Sequence, residues 1–227
     1  FAATTGAAGR EPWRSDGTAA GTFQLLDVNP GTAASAPVNF APIGTEVWFA
    51  ANSLGTGQEF WRTDGTTAGT ALVADLVPGN GSTLPHAITA FAGQVLFSGM
   101  EGGAGDEPQI TDGTSVGTLL LADVGRPLSN SNPTQFADLG PDVYFAAATD
   151  SFGTEPHRTD GTPFGTSMIA DVQPGSFGSS PAYSVGDGSR VFFQGNLFGV
   201  GRELFVTDGT GPGTVRLTSA VPAVEPR

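Results

Sequence analysis

Carboxylate side chains recur at a fixed interval along this chain, and they are the first candidates for chemistry. Asp-Gly-Thr triplets begin at five positions, each 48 residues after the last: Asp16, Asp64, Asp112, Asp160 and Asp208. A Glu stands five residues before each triplet, and an Asp stands eleven residues after the first four. Paired carboxylates are what calcium binding or glycoside hydrolysis would use.

The pairing of neighbouring segments decides whether these carboxylates meet. If Ser15 lies opposite Phe23 across the turn, Glu11 lies opposite Asp27. The same register yields four pairs: Glu11 with Asp27, Glu59 with Asp75, Glu107 with Asp123 and Glu155 with Asp171. Like charges facing each other destabilise a sheet unless loop N–H donors, an Arg, a shared proton or a cation neutralise them. We favour hydrogen bonding and predict no cofactor, with Ca²⁺ as the alternative, because no Asp-x-Asp-x-Asp-Gly loop is present.

The Asp-Gly-Thr triplets themselves have a structural interpretation. An Asp at the head of a turn accepts backbone N–H groups, Gly supplies a positive φ, and Thr hydroxyls satisfy loop carbonyls or amides. Five identical copies cannot all serve one active site. We therefore interpret Asp16, Asp64, Asp112, Asp160 and Asp208 as structural turn residues.

Catalysis would need residues that depart from the repeat, and few are available. The irregular titratable residues are His86, His157, Tyr144, Tyr183, Glu101, Asp106, Asp142, Asp150 and Asp187. A glycosidase built on two of the carboxylates is an alternative function. We predict instead that the protein is not an enzyme.

The 48-residue unit contains four short apolar segments, which in the second copy are residues 37–41, 46–51, 58–63 and 71–76. The second is apolar throughout, as in Val47-Trp48-Phe49-Ala50, which is typical of a strand buried on both faces. No stretch has the sustained 3.6-residue period of a helix. Four-stranded units of this length predict an all-β fold, a five-bladed β-propeller, in preference to a parallel β-helix. We expect one domain over 1–227, with repeats 1–48, 49–96, 97–144, 145–192 and an incomplete 193–227.

Composition restricts the partners. The chain has 227 residues, with 34 Gly, 17 Pro, no Cys and a net charge of −13. Its cations are all Arg, and so acidic a surface repels phosphate backbones, so we expect no nucleic acid partner. No apolar run reaches the roughly 20 residues of a membrane span.

The two ends do not fall on repeat boundaries. Residues 1–9 align with the middle of the next repeat, so the first blade lacks its first strand, and the tail 221–227 stops before a fifth period is complete. We expect a processed or excised piece, in which the tail or a segment outside this sequence closes the ring. An open first blade favours self-association or strand donation, and hence the alternative of a structural subunit in a surface assembly.

Ligands of propellers approach the face formed by the crossings from each fourth strand to the next first strand and by the loops between second and third strands. We call this the loop face. Its amide and aromatic side chains are our ligand-binding candidates: Asn52, Asn80, Asn130, Asn132, Phe152, Phe177, Asn196 and Phe198. Amides beside exposed rings suit uncharged sugars or a protein surface. The crossing with Arg126-Pro127 departs from the others; we favour drift in a surface loop, with a specialised contact as the alternative.

The stretch from Glu59 to Thr70, Glu-Phe-Trp-Arg-Thr-Asp-Gly-Thr-Thr-Ala-Gly-Thr, resembles the Glu-Leu-Trp-x-x-Asp-Gly-Thr-x-x-Gly-Thr repeats of bacterial secreted and surface proteins. The resemblance covers nearly the whole chain and implies an extracellular, cell-surface or periplasmic location, but no single activity. The turn is also similar to the Asp-box of sialidase-type propellers, and the size to tachylectin-like sugar-binding propellers. Where this family has Trp, as at Trp13 and Trp61, the later copies have Gln109, His157 and Phe205.

From these features we expect a non-catalytic extracellular binding or scaffold module. Repeated blades would contact glycans or partner proteins through the loop face, where several weak sites gain strength by multivalency.

Overall fold

The computed structural model describes residues 1–101, 103–125 and 129–218, with the side chain of Glu101 also outside the description. Nineteen β-strands and no helix occur in these ranges, so the all-β prediction is confirmed. The strands form five antiparallel sheets in which consecutive strands are neighbours. Residues 1–120 and 121–227 make up two compact units.

The first unit holds three sheets. The first sheet contains β1 (Ala2–Thr5), β2 (Gly9–Arg14) and β3 (Phe23–Gln24), and it lacks a first strand as predicted. The second contains β4 (Val38–Ile43), β5 (Glu46–Ser53), β6 (Gly57–Thr63) and β7 (Ala71–Ala74). The third contains β8 (His86–Phe91), β9 (Gln94–Glu101), β10 (Gly105–Thr111) and β11 (Leu119–Leu120).

The second unit holds the other two sheets. The fourth sheet contains β12 (Thr134–Leu139), β13 (Asp142–Thr149), β14 (Gly153–Thr159) and β15 (Ser167–Met168). The fifth contains β16 (Ala182–Gly186), β17 (Val191–Leu197), β18 (Gly201–Thr207) and β19 (Val215–Arg216). The four predicted segments of the repeat therefore correspond to the four strands of a sheet.

The second strand of each complete sheet lies in the core. In β5, Trp48 is 4% exposed, and Phe49, Ala50 and Ala51 are fully buried, which confirms the expectation from its apolar run. Within the first unit, Trp48 and Phe60 of the second sheet pack against Val95 and Phe97 of the third. Within the second unit, an equivalent core joins Tyr144 and Ile169 to three residues of the fifth sheet: Val191, Phe193 and Phe205. The second sheet thus packs against the first and third sheets, and the fourth sheet packs against the fifth.

The first strand of each complete sheet carries a bulge at the same place. Its second residue has a positive φ in all four, at Asn39, Ala87, Gln135 and Tyr183. These positions are again 48 residues apart, although the residue types differ and none is Gly. Since non-Gly side chains disfavour this region, the surrounding sheet imposes the conformation at a cost of about 1–3 kcal/mol each.

One predicted register was wrong. The structure places Arg14, not Ser15, opposite Phe23, and β3 ends at Gln24. In the second sheet Arg62 lies opposite Ala71, and a bulge shifts the register so that Phe60 lies opposite Ala74. Glu11 and Asp27 are therefore not cross-strand partners, because β3 ends at Gln24, before the chain reaches Asp27.

Some predictions concern residues that the structure does not describe. The Arg126-Pro127 crossing and the tail 221–227 lie outside the described residues. Among the described residues, none belongs to a helix long and apolar enough to cross a bilayer.

Candidate functional site

Each Asp-Gly-Thr turn is closed by its own side chains. In the fourth sheet, Oδ1 of Asp160 accepts hydrogen bonds from the backbone N–H of Thr162 at 2.9 Å and from its hydroxyl at 2.7 Å. The backbone N–H of Gly165 donates to the Thr162 hydroxyl oxygen at 3.0 Å. The hydrogen bond from the Thr162 hydroxyl is the main cause that lowers the pKa of Asp160. The same contacts recur in the other four turns, so these carboxylates are occupied within their own loops.

The repeated Glu is buried, and its carboxylate accepts hydrogen bonds from the crossing that leads to the next sheet. One carboxylate oxygen of Glu155 accepts N–H groups of Gln173 at 3.1 Å and Ser179 at 2.8 Å. The other accepts the N–H of Val172 at 3.1 Å and the Ser179 hydroxyl at 2.6 Å. Burial raises the pKa of Glu155, and these donors oppose that effect. Glu155 therefore fixes the crossing over residues 172–179.

Two other copies are built in the same way. Glu11 accepts the N–H groups of Val28 and Ser35 at 2.9 and 2.8 Å, together with the Ser35 hydroxyl. Glu59 accepts the N–H and hydroxyl of Thr83 at 2.9 and 2.5 Å. Burial likewise raises the pKa of Glu59. Loop donors thus provide the neutralisation that we favoured for these carboxylates.

The Asp members of the proposed pairs have different surroundings. Asp27 accepts the N–H of Gly31 at 3.1 Å, and Asp123 is exposed. Within the described ranges, Asp75 and Asp171 each keep one buried oxygen, Oδ1, without a hydrogen-bond partner. Glu107 is buried like its counterparts. The described residues include no group of three or more His, Asp or Glu side chains arranged around a metal position, and the calcium alternative stays a prediction.

Two irregular residues, His86 and Asp106, meet in the third sheet. Ser98 donates its hydroxyl to Oδ1 of Asp106 at 2.6 Å, and Nε2 of His86 lies 3.3 Å from Oδ2 of Asp106. A nucleophilic triad requires the His between the Ser and the Asp, so that the His can take the hydroxyl proton. Here Asp106 lies in the middle, and the hydroxyl is bonded to a carboxylate. This arrangement orders a buried polar cluster and does not activate Ser98.

A cavity of about 330 Å³ lies beside the fourth sheet, and the loop between β13 and β14 contributes to its lining. We call it the fourth-sheet cavity; it is lined by Ala122, Asp123, Val124, Thr149, Asp150, Ser151, Phe152, His157, Thr166, Ser167 and Met168. The loop between β13 and β14 supplies Phe152, whose backbone N–H donates to Thr149 Oγ1 at 3.0 Å. Its volume falls in the range of small-ligand pockets, about 300–1,000 Å³.

The cavity lies where the repeat loses its large aromatic residue. In the second sheet this position is Trp61, which is 8% exposed and packs with Val28, Phe49 and Ala51. In the fifth sheet it is Phe205, which packs with Phe193. In the fourth sheet it is His157, whose ring is smaller than that of Trp. The imidazole of His157 borders the cavity.

His157 is held as a neutral acceptor. Its Nδ1 lies 2.9 Å from the carbonyl oxygen of Glu155, and its ring stacks on Phe145 at 5.4 Å. A carbonyl can only accept, so Nδ1 carries the proton and Nε2 presents a lone pair. Burial lowers the pKa of His157 to about 4, so this tautomer persists at neutral pH.

The cavity gathers residues that we had placed in three different groups. Phe152 was a ligand candidate, Asp123 a metal candidate, and His157 and Asp150 belonged to the irregular set. The change from Trp to His at position 157 was visible in the sequence. The sequence did not show that this change opens space beside Phe152.

The structure does not bring the remaining ligand candidates into this cavity. Asn196 lines a separate polar cavity of about 360 Å³ on the fifth sheet, with Ser180, Ala182, Gln194 and Arg202. Phe177 and Phe198 are 83% and 84% exposed. Asn52 is half-buried in β5 and donates to the Ser35 carbonyl at 3.5 Å. Asn80, Asn130 and Asn132 are exposed in loops.

The other irregular residues have local partners or lie apart. Asp142 pairs with Arg158 at 2.8 Å. Asp187 accepts the N–H and the hydroxyl of Ser189 in a hairpin turn. Tyr144 is buried in the core, where burial raises the pKa of its hydroxyl, and Tyr183 is 73% exposed.

Comparison with known proteins shows a likeness of fold. No family model and no curated protein sequence matches this chain. Among solved structures, TolB from Acinetobacter baumannii aligns over 95% of this chain and 50% of its own, at 14% identity and a TM-score of 0.54. A prolyl endopeptidase structure aligns over 92% of this chain and 30% of its own, at 12% identity and a TM-score of 0.57. A puromycin-hydrolyzing peptidase of Mycobacterium tuberculosis aligns over 88% and 30%, at 14% identity and a TM-score of 0.52.

The chain spans half or less of the length of these structures. The aligned proteins contain β-propellers, and at such low identity the likeness concerns the fold alone. It supports a propeller-type arrangement of sheets, and it assigns no activity.

Proposed function

We propose that this chain is a five-bladed β-propeller domain that serves as a non-catalytic, extracellular binding module for glycans. The five sheets with a 48-residue period and the fold likeness support the blades. The resemblance to repeats of secreted and surface proteins supports the location.

The observation that carries the proposal is the fourth-sheet cavity. It combines an aromatic side chain, Phe152, with several hydroxyl and carboxylate groups around a space of ligand size. Sugar rings present an apolar face to aromatic rings and hydroxyl groups to polar side chains, so this lining matches them. Its lining includes Phe152, one of the residues that we expected to contact a ligand.

A non-catalytic role agrees with the state of the acidic residues. The Asp of each Asp-Gly-Thr turn is engaged within its own turn, and Glu11, Glu59 and Glu155 are engaged by crossings. The Ser98, His86 and Asp106 cluster has the wrong order for nucleophilic attack. A glycosidase therefore stays the weaker alternative.

A structural subunit completed by strand exchange is the other alternative. Among the described strands, the first sheet has three where the others have four, and a strand added beside β1 would complete it.

A glycan array probed with the purified chain tests the main proposal. We expect binding to a restricted set of glycans, with no release of sugar from them during prolonged incubation. An array without signal at high protein concentration would contradict glycan binding, and released product would favour the glycosidase. Native mass spectrometry of the same sample would reveal oligomers if the structural alternative holds.

A further inference from the structure

We propose that the fourth-sheet cavity binds a sugar unit that carries a free amino group, and that His157 determines this choice. The inference rests on the proposed glycan-binding function and gives it a place and a ligand class. It predicts one such site per chain, in the fourth sheet, although the blades share a common framework.

The cavity lining combines three hydrogen-bond acceptors with hydroxyl and apolar side chains. Asp123 and Asp150 are exposed carboxylates at its rim, and neither Arg nor Lys lines it. His157 contributes an acceptor at Nε2, because its proton lies on Nδ1 and is donated to the Glu155 carbonyl. In the described part of the chain, no hydrogen bond to Nε2 of His157 occurs. Nε2 of His157 can therefore accept a hydrogen bond from a ligand donor.

The charge of the cavity selects among sugars. Two carboxylates with no neighbouring cation in the lining repel a uronic acid and attract an ammonium group. An ammonium group supplies three donors, and the hydroxyl groups of a pyranose supply more. Phe152 provides an apolar face at the rim, where it is 38% exposed. Both an aromatic ring and a carboxylate pair favour a cationic sugar over a neutral one.

The sheets beside it do not offer the same site. Trp61 occupies the corresponding position in the second sheet and Phe205 in the fifth, and both side chains are packed into cores. In the third sheet Gln109 is 3% exposed and donates to the Gly99 carbonyl at 2.7 Å. Only in the fourth sheet, among those described, does a His at this position border an open cavity.

Calorimetric titration with four monosaccharides tests the ligand class. We expect glucosamine to bind best, glucose and N-acetylglucosamine several-fold more weakly, and glucuronic acid not at all, with a stoichiometry of one. Added salt should weaken glucosamine binding. Equal binding of glucosamine and glucuronic acid would overturn the inference. A blocked lysine derivative that binds as well as glucosamine would also overturn it, because the site would then recognise an amine without recognising the sugar.

Three variants test whether the ligand binds in the fourth-sheet cavity. His157→Trp restores the residue of the first two sheets and should reduce glucosamine affinity at least tenfold by filling the cavity. Asp150→Asn changes an exposed side chain without changing its shape, should fold normally, and should reduce affinity several-fold. Val116→Ala, which removes an exposed apolar side chain outside the cavity, is the control and should bind as the wild type does.

The outcomes separate this inference from the proposed function. Glycan binding that persists in His157→Trp and Asp150→Asn would overturn the assigned site while leaving a glycan-binding module. Absence of any glycan binding by the wild type would overturn both.

Discussion

Removal of the Glu155 side chain tests whether the buried carboxylate holds a crossing in place. Glu155→Ala leaves the N–H groups of Val172, Gln173 and Ser179 and the Ser179 hydroxyl without their acceptor. An unsatisfied buried donor costs about 1–3 kcal/mol, and water entering the vacated space recovers part of that sum. Burying the charged carboxylate costs free energy, which is why burial raises the pKa of Glu155. Removing the carboxylate removes this cost and offsets a further part of the stability loss. We expect a net loss of about 3–5 kcal/mol in the free energy of unfolding.

Glu155→Gln is the graded comparison. Its carbonyl oxygen can still accept Gln173 and Ser179, and the Ser179 hydroxyl can turn to accept from the amide. Only the N–H of Val172 then faces another donor, so the expected loss is about 1–2 kcal/mol. Chemical denaturation followed by circular dichroism measures both stability losses. Trp fluorescence would not report on the fourth sheet, because the three Trp residues all precede residue 62. Asp150→Ala, which removes an exposed carboxylate, is the control and should change stability by less than about 0.5 kcal/mol. A Glu155→Ala protein within 1 kcal/mol of the wild type would refute the reasoning.

Three further predictions follow from the same contacts. The folded state holds His157 neutral with a pKa of about 4, against an ordinary 6.5, so its contribution is present above pH 6.5 and is lost as the pH falls towards 4. The stability difference between wild type and His157→Gln should therefore change by about 3 kcal/mol between pH 7 and pH 4, and a constant difference would contradict the burial of a neutral ring. Gly21→Ala should destabilise the first turn by about 1–3 kcal/mol, because its Cβ would lie 2.0 Å from Asp16 Oδ1. Gly6→Ala, where a Cβ meets no atom within 4 Å, should cost far less, and equal losses in thermal unfolding would remove the turn argument. Addition of Ca²⁺ after chelation should leave the melting temperature unchanged, since loop donors already occupy the Glu11, Glu59 and Glu155 carboxylates; a rise in the melting temperature would favour the calcium alternative.

The repeat determined how much of the fold could be predicted. Four apolar segments per 48 residues predicted the strands, and a run that is apolar throughout, such as that of β5, predicted a strand buried on both faces. The missing first strand of the first sheet followed from the same alignment. Invariant Asp, Gly and Thr residues predicted the turns, since their side chains act within a few residues of themselves.

Register and bulges could not be predicted in this way. A bulge in β7 shifts the pairing by one residue, and it leaves no signal in residue types. The positive φ at Asn39, Ala87, Gln135 and Tyr183 is imposed by tertiary packing on four residue types, of which only Asn tolerates it well. The assumed Glu11 and Asp27 pair failed because the register across the first turn differs by one residue and β3 ends at Gln24.

The candidate site lay between these two cases. The loss of Trp at position 157 was visible in the sequence, and Phe152 was already a ligand candidate. Their proximity depends on how the loop between β13 and β14 folds over the sheet, which is a tertiary property. Tautomer and pKa of His157 also depend on burial and on the Glu155 carbonyl, neither of which residue spacing reveals.

Two-dimensional amide NMR of the chain during titration with glucosamine tests the central claim most directly. The account predicts saturable shifts confined to residues around the fourth-sheet cavity, namely 122–124, 149–157 and 166–168, and their loss in His157→Trp. Shifts that map elsewhere, or a spectrum that glucosamine leaves unchanged, would contradict it.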